Sequence, residues 1–190
     1  MRILLGLAVA CLPLLAVPAF ADCADEIRSA MIAMANAGPQ RIVSTARTKA
    51  GVIEMVSEKV PGAMHSRSVS GGVTEFTVVG DRAWSKNGDD WTELPAETAA
   101  GFAAGLGAES RNAFENISDA ECPGLDRHTF LISYRLTYRD GGAIVKAAIE
   151  ADPVTGLPRR LQTWNSVAGE KSTAISQFTY DASITVTAPR

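Results

Sequence analysis

The chain has 190 residues, with 18 lysines and arginines against 21 aspartates and glutamates and a formal net charge of −3. That length suffices for one domain with a real core, and the slight acidic excess without a basic stripe argues against nucleic acid as a partner. Long charge runs, low-complexity segments and internal repeats are absent.

The first 21 residues, MRILLGLAVACLPLLAVPAFA, begin with a positive residue, Arg2, continue as an apolar run and end in Ala19-Phe20-Ala21. This is the pattern of a secretory signal peptide cleaved after Ala21. A retained membrane anchor is the competing reading. Pro13 and Pro18 interrupt the run and no stop-transfer pattern follows, so cleavage is favoured. Asp22 precedes Cys23, which argues against lipid attachment at that cysteine. The expected product is a periplasmic or secreted domain, residues 22–190. It keeps two cysteines, Cys23 and Cys122, and an even count in an exported chain favours a disulfide between them over two separate thiols.

Residues 24–37 read as a helix: Asp25 and Glu26 suit its positive end, Ile27, Met31 and Met34 share a face, and Gly38-Pro39 stops it. Strands follow at 41–49, 51–60 and 63–69. Strands 73–79 and 82–87 flank a Gly80-Asp81 hairpin, and 91–94 follows the turn at 87–90. Residues 96–106 are alanine-rich, start after Pro95 and contain Gly101 and Gly105, which predicts a short or mobile helix. Residues up to Cys122-Pro123-Gly124 read as irregular.

The clearest strand spans 128–139. His128, Phe130, Ile132, Tyr134, Leu136 and Tyr138 alternate with mostly polar residues, so one face turns toward a core or cavity. The strand after Gly141-Gly142 places Ala143, Val145, Ala147, Ile149 and Ala151 on one face. The connection Asp152-Pro-Val-Thr-Gly-Leu-Pro158 predicts a hairpin turn. Asp152 bonds back to the turn backbone, Gly156 takes positive φ, and Pro158 opens the next strand without costing an interior ladder bond. Strands at 159–167, 171–180 and 183–187 complete a meander.

The succession "YRLTYRDGG", "DPVTGLPRRLQ", "STAISQFTYD" and "SITVTAP", with "GDRAWSKNGDDWTEL" upstream, resembles periplasmic proteins of the lipoprotein-carrier superfamily, the LolA/LolB-like group and related lipid-carrying lipoproteins. The resemblance implies an α+β fold. A strongly curved antiparallel sheet forms a half-barrel, an N-terminal helix and a short helical lid cover its concave face, and acyl chains occupy the cavity. No functional residue of that family is matched here.

Neither His65 nor His128 has metal-ligand spacing to a Cys, Asp or Glu, and His128 is expected to be a packed core histidine. No nucleophile-elbow, zinc-protease or phosphate-loop pattern occurs, so neither an enzyme nor a metal or other cofactor is expected. Asp89-Asp90 and Asp25-Glu26 read as solvated or capping pairs. Asn116-Ile-Ser118 matches a glycosylation sequon, which is weak evidence in an exported chain of this kind. Phe76, Trp84, Trp91, Phe102, Phe130, Ile132, Tyr134, Val145, Ala147 and Trp164 are candidates to line one apolar interior. Small residues on the inward faces, Ala147, Ala151, Ala174 and Ser176 among them, leave room for a helix or a ligand. The leading expectation is a monomeric carrier of a hydrophobic small molecule or lipid. The alternative is a ligand-free module that binds a periplasmic protein partner.

Overall fold

Asp22 opens helix α1 (Cys23–Asn36) by accepting the Ala24 N–H on its side chain, with Asp25 and Glu26 in the first turn. Ala24, Ile27, Ala30 and Met31 form the buried stripe, and Gly38, at φ 73°, follows the helix end. The computed structural model describes residues 22–48, 51–70, 74–106, 117–140, 143–167 and 170–190. The segment read as a signal peptide and Asn116 of the sequon lie outside these residues.

Six strands come next: β1 (Gln40–Thr48), β2 (Gly51–Val60), β3 (Ala63–Ser68), β4 (Glu75–Val79), β5 (Arg82–Asn87) and β6 (Asp90–Glu93). Helix α2 (Ala96–Leu106) then leads to β7 (Ile117–Leu125), β8 (Ile132–Asp140), β9 (Ala143–Ala151), β10 (Pro158–Val167) and β11 (Glu170–Tyr180). All eleven belong to one antiparallel sheet ordered β6-β5-β4-β3-β2-β1-β11-β10-β9-β8-β7. Two meanders are thus joined through the β1–β11 pair, and among the described residues β6 and β7 are the two edges of a sheet that is not closed into a barrel.

Register decides which residues share a face, because the side-chain period of a strand is two. One row runs Tyr134–Ile149–Leu161–Ser176–Ser44–Met55–Ser68. A neighbouring row on the same face runs Phe178–Ile42–Ser57–Ser66–Phe76–Ser85. Helix α1 packs on the first row's Tyr134 end, over Leu136, Tyr138, Val145, Ala147 and Ile149. Helix α2 packs at the other end, where Ala99 meets Val78 and Ala83 beside Phe76. Both helices therefore lie on one face of the sheet. This is the α+β curved-sheet, LolA-like fold that the resemblance implies.

The turn at 152–157 forms as its residues predict. Asp152 Oδ1 accepts the N–H groups of Val154 and Thr155, both at 3.0 Å, Gly156 has φ 69°, and Pro158 is buried at the start of β10. Three expectations about the segment before β8 differ. Residues 128–131 are not strand: they belong to a second turn, built on Asp126, and the strand starts at Ile132. His128 is exposed there and is not a core histidine, because its N–H serves Asp126. Phe130 takes φ 56° and is 70% exposed, a conformation that costs a residue bearing a Cβ about 1–2 kcal/mol.

Residues 117–125, read as irregular, form edge strand β7. Two register shifts and Asp119 at φ 51° break its alternation, and an edge position tolerates Pro123. Residues 183–187 form no strand. Asp181 instead caps a turn by accepting from Ser183, and Ile184 is buried.

Candidate functional site

Between the two helix-covered ends, the helix side of the sheet is floored by β1, β2, β3 and β11. Ser44 and Ser176 join across β1 and β11 with an Oγ–Oγ distance of 2.8 Å, and Ser57 and Ser66 join across β2 and β3 at 2.6 Å. Ser57 and Ser66 are buried. In each pair one hydroxyl donates to the other, which lowers the strip's demand for water although its residues are polar. The same face carries Ile42, Ala46, Ile53, Met55 and Ala174. Small side chains and paired hydroxyls thus lie on the centre of the face, and a helix packs at each of its two ends.

Gln40 begins β1 on this face, in register with Tyr180 and Lys59. It is 3% exposed, and its Oε1 is a buried side-chain atom without a hydrogen-bond partner among the described residues. Burial pushes the phenol of Tyr180 up to about 12, and its hydroxyl donates to the Pro158 carbonyl at 2.7 Å.

A hollow of about 430 Å³ opens beside α1, lined by Asp25, Glu26, Ser29, Ala30, Ala33, Tyr134 and Gly156. Burial, with a contribution from the Glu26 charge, raises the Tyr134 phenol above its ordinary value, so it stays a neutral donor at the wall. At the other end Phe76 stacks on Phe102 of α2, ring centroids 5.1 Å apart, and Leu94 packs beside them.

The sequence-derived candidates divide. Phe76, Ile132, Tyr134, Val145 and Ala147 lie on the helix side of the sheet, and Phe102 reaches it from α2. Trp84, Trp91 and Trp164 lie on the opposite side, because Ala83 and Leu161 occupy the inward register positions of their strands. Trp84 is buried there beneath the Arg82 guanidinium, 4.8 Å from the ring centroid, and Arg82 in turn makes a two-pronged bond to Glu93. Trp91 meets His65 edge-on and lies under Lys86. Phe130 points from the Asp126 turn and joins neither group.

His65 Nε2 lies 2.9 Å from Glu75, which also pairs with Lys86 at 3.4 Å. Burial pushes the Glu75 carboxyl up, but the His65 hydrogen bond and the Lys86 charge outweigh it and leave it below the usual range. The C-terminal residues 185–190 border the same spot, around a cavity of about 340 Å³. A further groove of about 430 Å³ lies on the outer face, lined by Val43, Thr45, Arg47, Gln162, Thr173, Ile175 and Gln177.

The Cys23–Cys122 disulfide is present and spans 99 residues, with Cα atoms 5.8 Å apart. It ties the first residue of α1 to edge strand β7. Among the described residues no group of three His, Cys, Asp or Glu side chains is placed to hold a metal ion, and no helix is long and apolar enough to cross a membrane.

Ala174 and Ser176 were legible as small inward residues. The serine pairs and Gln40 were not, because their role depends on the β1–β11 and β2–β3 pairings, which no local pattern signals.

No family model and no curated protein matches the chain. Solved structures do. The chain is similar to the Mycobacterium tuberculosis lipoprotein LppX, with a TM-score of 0.62 and 12% identity over 88% of this chain and 100% of that one. LprF from Mycobacterium bovis gives a TM-score of 0.58 and 11% identity over 88% and 97% of the two chains. MucB gives 0.51 and 16%, over 88% of this chain and 63% of that one. At such identities the likeness is one of fold alone: these proteins share the overall fold of this chain.

Proposed function

We propose that the chain is an exported, non-enzymatic carrier that holds an apolar ligand, a lipid or an acyl chain, on the helix side of its sheet. The observation that carries this reading is the central strip of the helix side, with its Ser44–Ser176 and Ser57–Ser66 pairs between the ends covered by α1 and α2. Export follows from the signal-like first 21 residues, with cleavage after Ala21, and the similar lipoprotein LppX supports a place in the cell envelope. Tyr134, Ile132, Val145 and Ala147 would wall the site at the α1 end, and Phe76 with Phe102 at the α2 end. Gln40 Oε1 supplies a buried acceptor for a ligand hydroxyl. Ligand pockets of this type are concave and mostly apolar, with a few placed polar groups.

Native mass spectrometry of protein purified from its own cell envelope tests the proposal. A co-purifying lipid, displaced by a fluorescent fatty acid, is the expected result. Protein that carries nothing and ignores the probe would overturn it.

A second reading has one observation in its favour. Val43, Val52, Ile144 and Trp164 are each about 40–50% exposed, and register places all four on the outer face. A module that binds a protein partner by that face fits this pattern. Substituting Trp164 by serine would then abolish partner capture while leaving lipid content unchanged; the carrier reading expects the reverse dependence on helix-side residues.

A further inference from the structure

Among the described residues four polar side chains are buried: Gln40, Ser57, Ser66 and Thr77. Ser57 and Ser66 share a hydrogen bond, and Gln40 belongs to the helix side. Thr77 is a different case. It is 3% exposed on the outer face, and its hydroxyl has no hydrogen-bond partner among the described residues. A buried hydroxyl left unpaired destabilises the fold unless something outside the chain bonds to it. Thr77 lines the outer-face cavity of about 340 Å³, a volume within the range of small-molecule sites, so space for such a partner lies beside it.

Register assembles the floor of this cavity. His65 and Thr77 are partners across β3 and β4, and Glu75, Lys86 and Trp91 follow one another across β4, β5 and β6, all on the outer face. Glu75 Oε1 meets His65 at 2.9 Å and its Oε2 meets Lys86 at 3.4 Å. Trp91 meets His65 edge-on, and Lys86 lies 5.7 Å from its ring centroid. The opposite wall is the chain's own segment 185–190. Its start is fixed by the buried Ile184 and by the Asp181 N–H, which donates to the Pro39 carbonyl at 3.1 Å. Val186 and Pro189 are half-buried along it.

The lining selects a chemistry. The floor residues that border the cavity are His65, Glu75, Thr77 and Trp91, with no aliphatic side chain among them, so an acyl chain finds no matching surface there. Burial pushes the Glu75 carboxyl up, but the His65 hydrogen bond and the Lys86 charge outweigh it, so Glu75 is an ionised acceptor with its charge matched by Lys86. Selectivity on this floor therefore lies in hydrogen bonds and in the ring. A carboxylate, an imidazole and a hydroxyl beside a flat amphipathic ring complement a saccharide, which offers a C–H face to the aromatic and hydroxyls that both donate and accept.

We propose that the outer face at β3–β6 carries a binding site for a saccharide ring, with Thr77, His65 and Glu75 bonding its hydroxyls, Trp91 taking its C–H face, and residues 185–190 forming the outer wall. The site lies on the side of the sheet opposite the helices, and it stands whether or not the chain carries an apolar ligand.

The test is titration of the oxidised, exported protein with glucose, galactose, mannose, N-acetylglucosamine, cellobiose and chitobiose, followed by the Trp91 indole N–H and the His65 ring resonances. At least one sugar should shift both, saturably, and leave the Tyr134 ring unmoved on the helix side. Thr77→Val keeps the shape of the side chain and removes the hydroxyl. It should weaken binding about tenfold, in keeping with the loss of one buried hydrogen bond, and should raise the melting temperature, since the unpaired hydroxyl of the free protein is gone. Opposite signs separate a binding role from damage to the fold. Trp91→Ala should weaken binding further, and Trp164→Ser, elsewhere on the outer face, should leave it unchanged. A panel in which no sugar moves these resonances, or a Thr77→Val chain that binds like the wild type, would overturn the proposal.

Discussion

The two helices sit on the same face of one sheet, yet they are held by different means. Under α1, the described residues include nine buried side chains in one cluster, among them Ile27 and Ile149 with no exposed surface. The helix is capped by Asp22 and bonded through Cys23 to β7. Under α2 the buried cluster is Val78, Ala83 and Ala99, with Phe76, Leu94 and Phe102 only partly covered. That helix has no disulfide, and Gly101 stands in it with open space where a Cβ would be. One end of the strip is therefore part of the body, and the other is closed by an element that can leave at much lower cost.

The largest expected difference comes from reduction. A closed loop of about 100 residues corresponds to ~4.7 kcal/mol in the chain-entropy model, an upper figure. Reduction, or replacement of both cysteines by serine, should lower the melting temperature and raise hydrogen exchange in α1, with α2 unaffected. A melting temperature that does not move, or exchange that rises equally in both helices, would show that the bond does not anchor α1.

Core truncation should follow the same order. Ile27→Ala empties a fully buried position and should cost about 2–5 kcal/mol. Phe102→Ala removes a partly covered ring, and its stacking on Phe76 is worth roughly 0.5–1.5 kcal/mol, so a loss of about 1–2 kcal/mol is expected. Chemical denaturation measures both. Equal losses would erase the distinction between a fixed and a detachable helix.

Gly101→Ala sharpens it. Alanine meets nothing within 4 Å there and favours the helix by about 0.5–1 kcal/mol. The variant should be slightly more stable and, if α2 opens to admit ligand, should release a fluorescent fatty acid more slowly. Faster release would assign the gate elsewhere.

The same contrast shows what the sequence could reveal. The periodicity of Ile27, Met31 and Met34 marks α1, and the alternation of Ile132, Tyr134, Leu136 and Tyr138 marks its bed, because both are local patterns with strong physical periods. The cysteine pairing was legible from the cysteine count of an exported chain. The α2 end was harder to read. Trp84 and Trp91 look like core residues by size, but their burial is on the outer face, because register gives the inward position in β5 to Ala83. Strand β7 was hidden by bulges and a proline, and Phe130 by the expectation that a large apolar residue continues an alternating strand. In each case a hydrogen-bond partner distant in sequence, or a turn geometry usually left to glycine, overrode the local pattern.

The smallest effect separates the turns built on Asp126 and Asp152. Asp152 is drawn down to about 2 from 3.8, first by the Thr155 and Val154 N–H groups and then by Arg159. Asp126 is lowered by the His128 and Thr129 N–H groups, with no arginine among its hydrogen-bond partners. A carboxyl whose folded value lies below its unfolded one stabilises the fold above the unfolded value and loses that contribution as pH falls through the folded value. The chain should therefore lose stability as acid is added from about pH 4 toward pH 2, and Asp152 should titrate near the lower end of that window. Asp152→Asn keeps an acceptor for the turn but removes the charge facing Arg159. It should flatten the acid dependence more than Asp126→Asn does. Carboxyl chemical shifts and denaturation at several acid pH values would check both points; an Asp152→Asn curve parallel to the wild type would mean that the turn holds its shape without drawing on that charge.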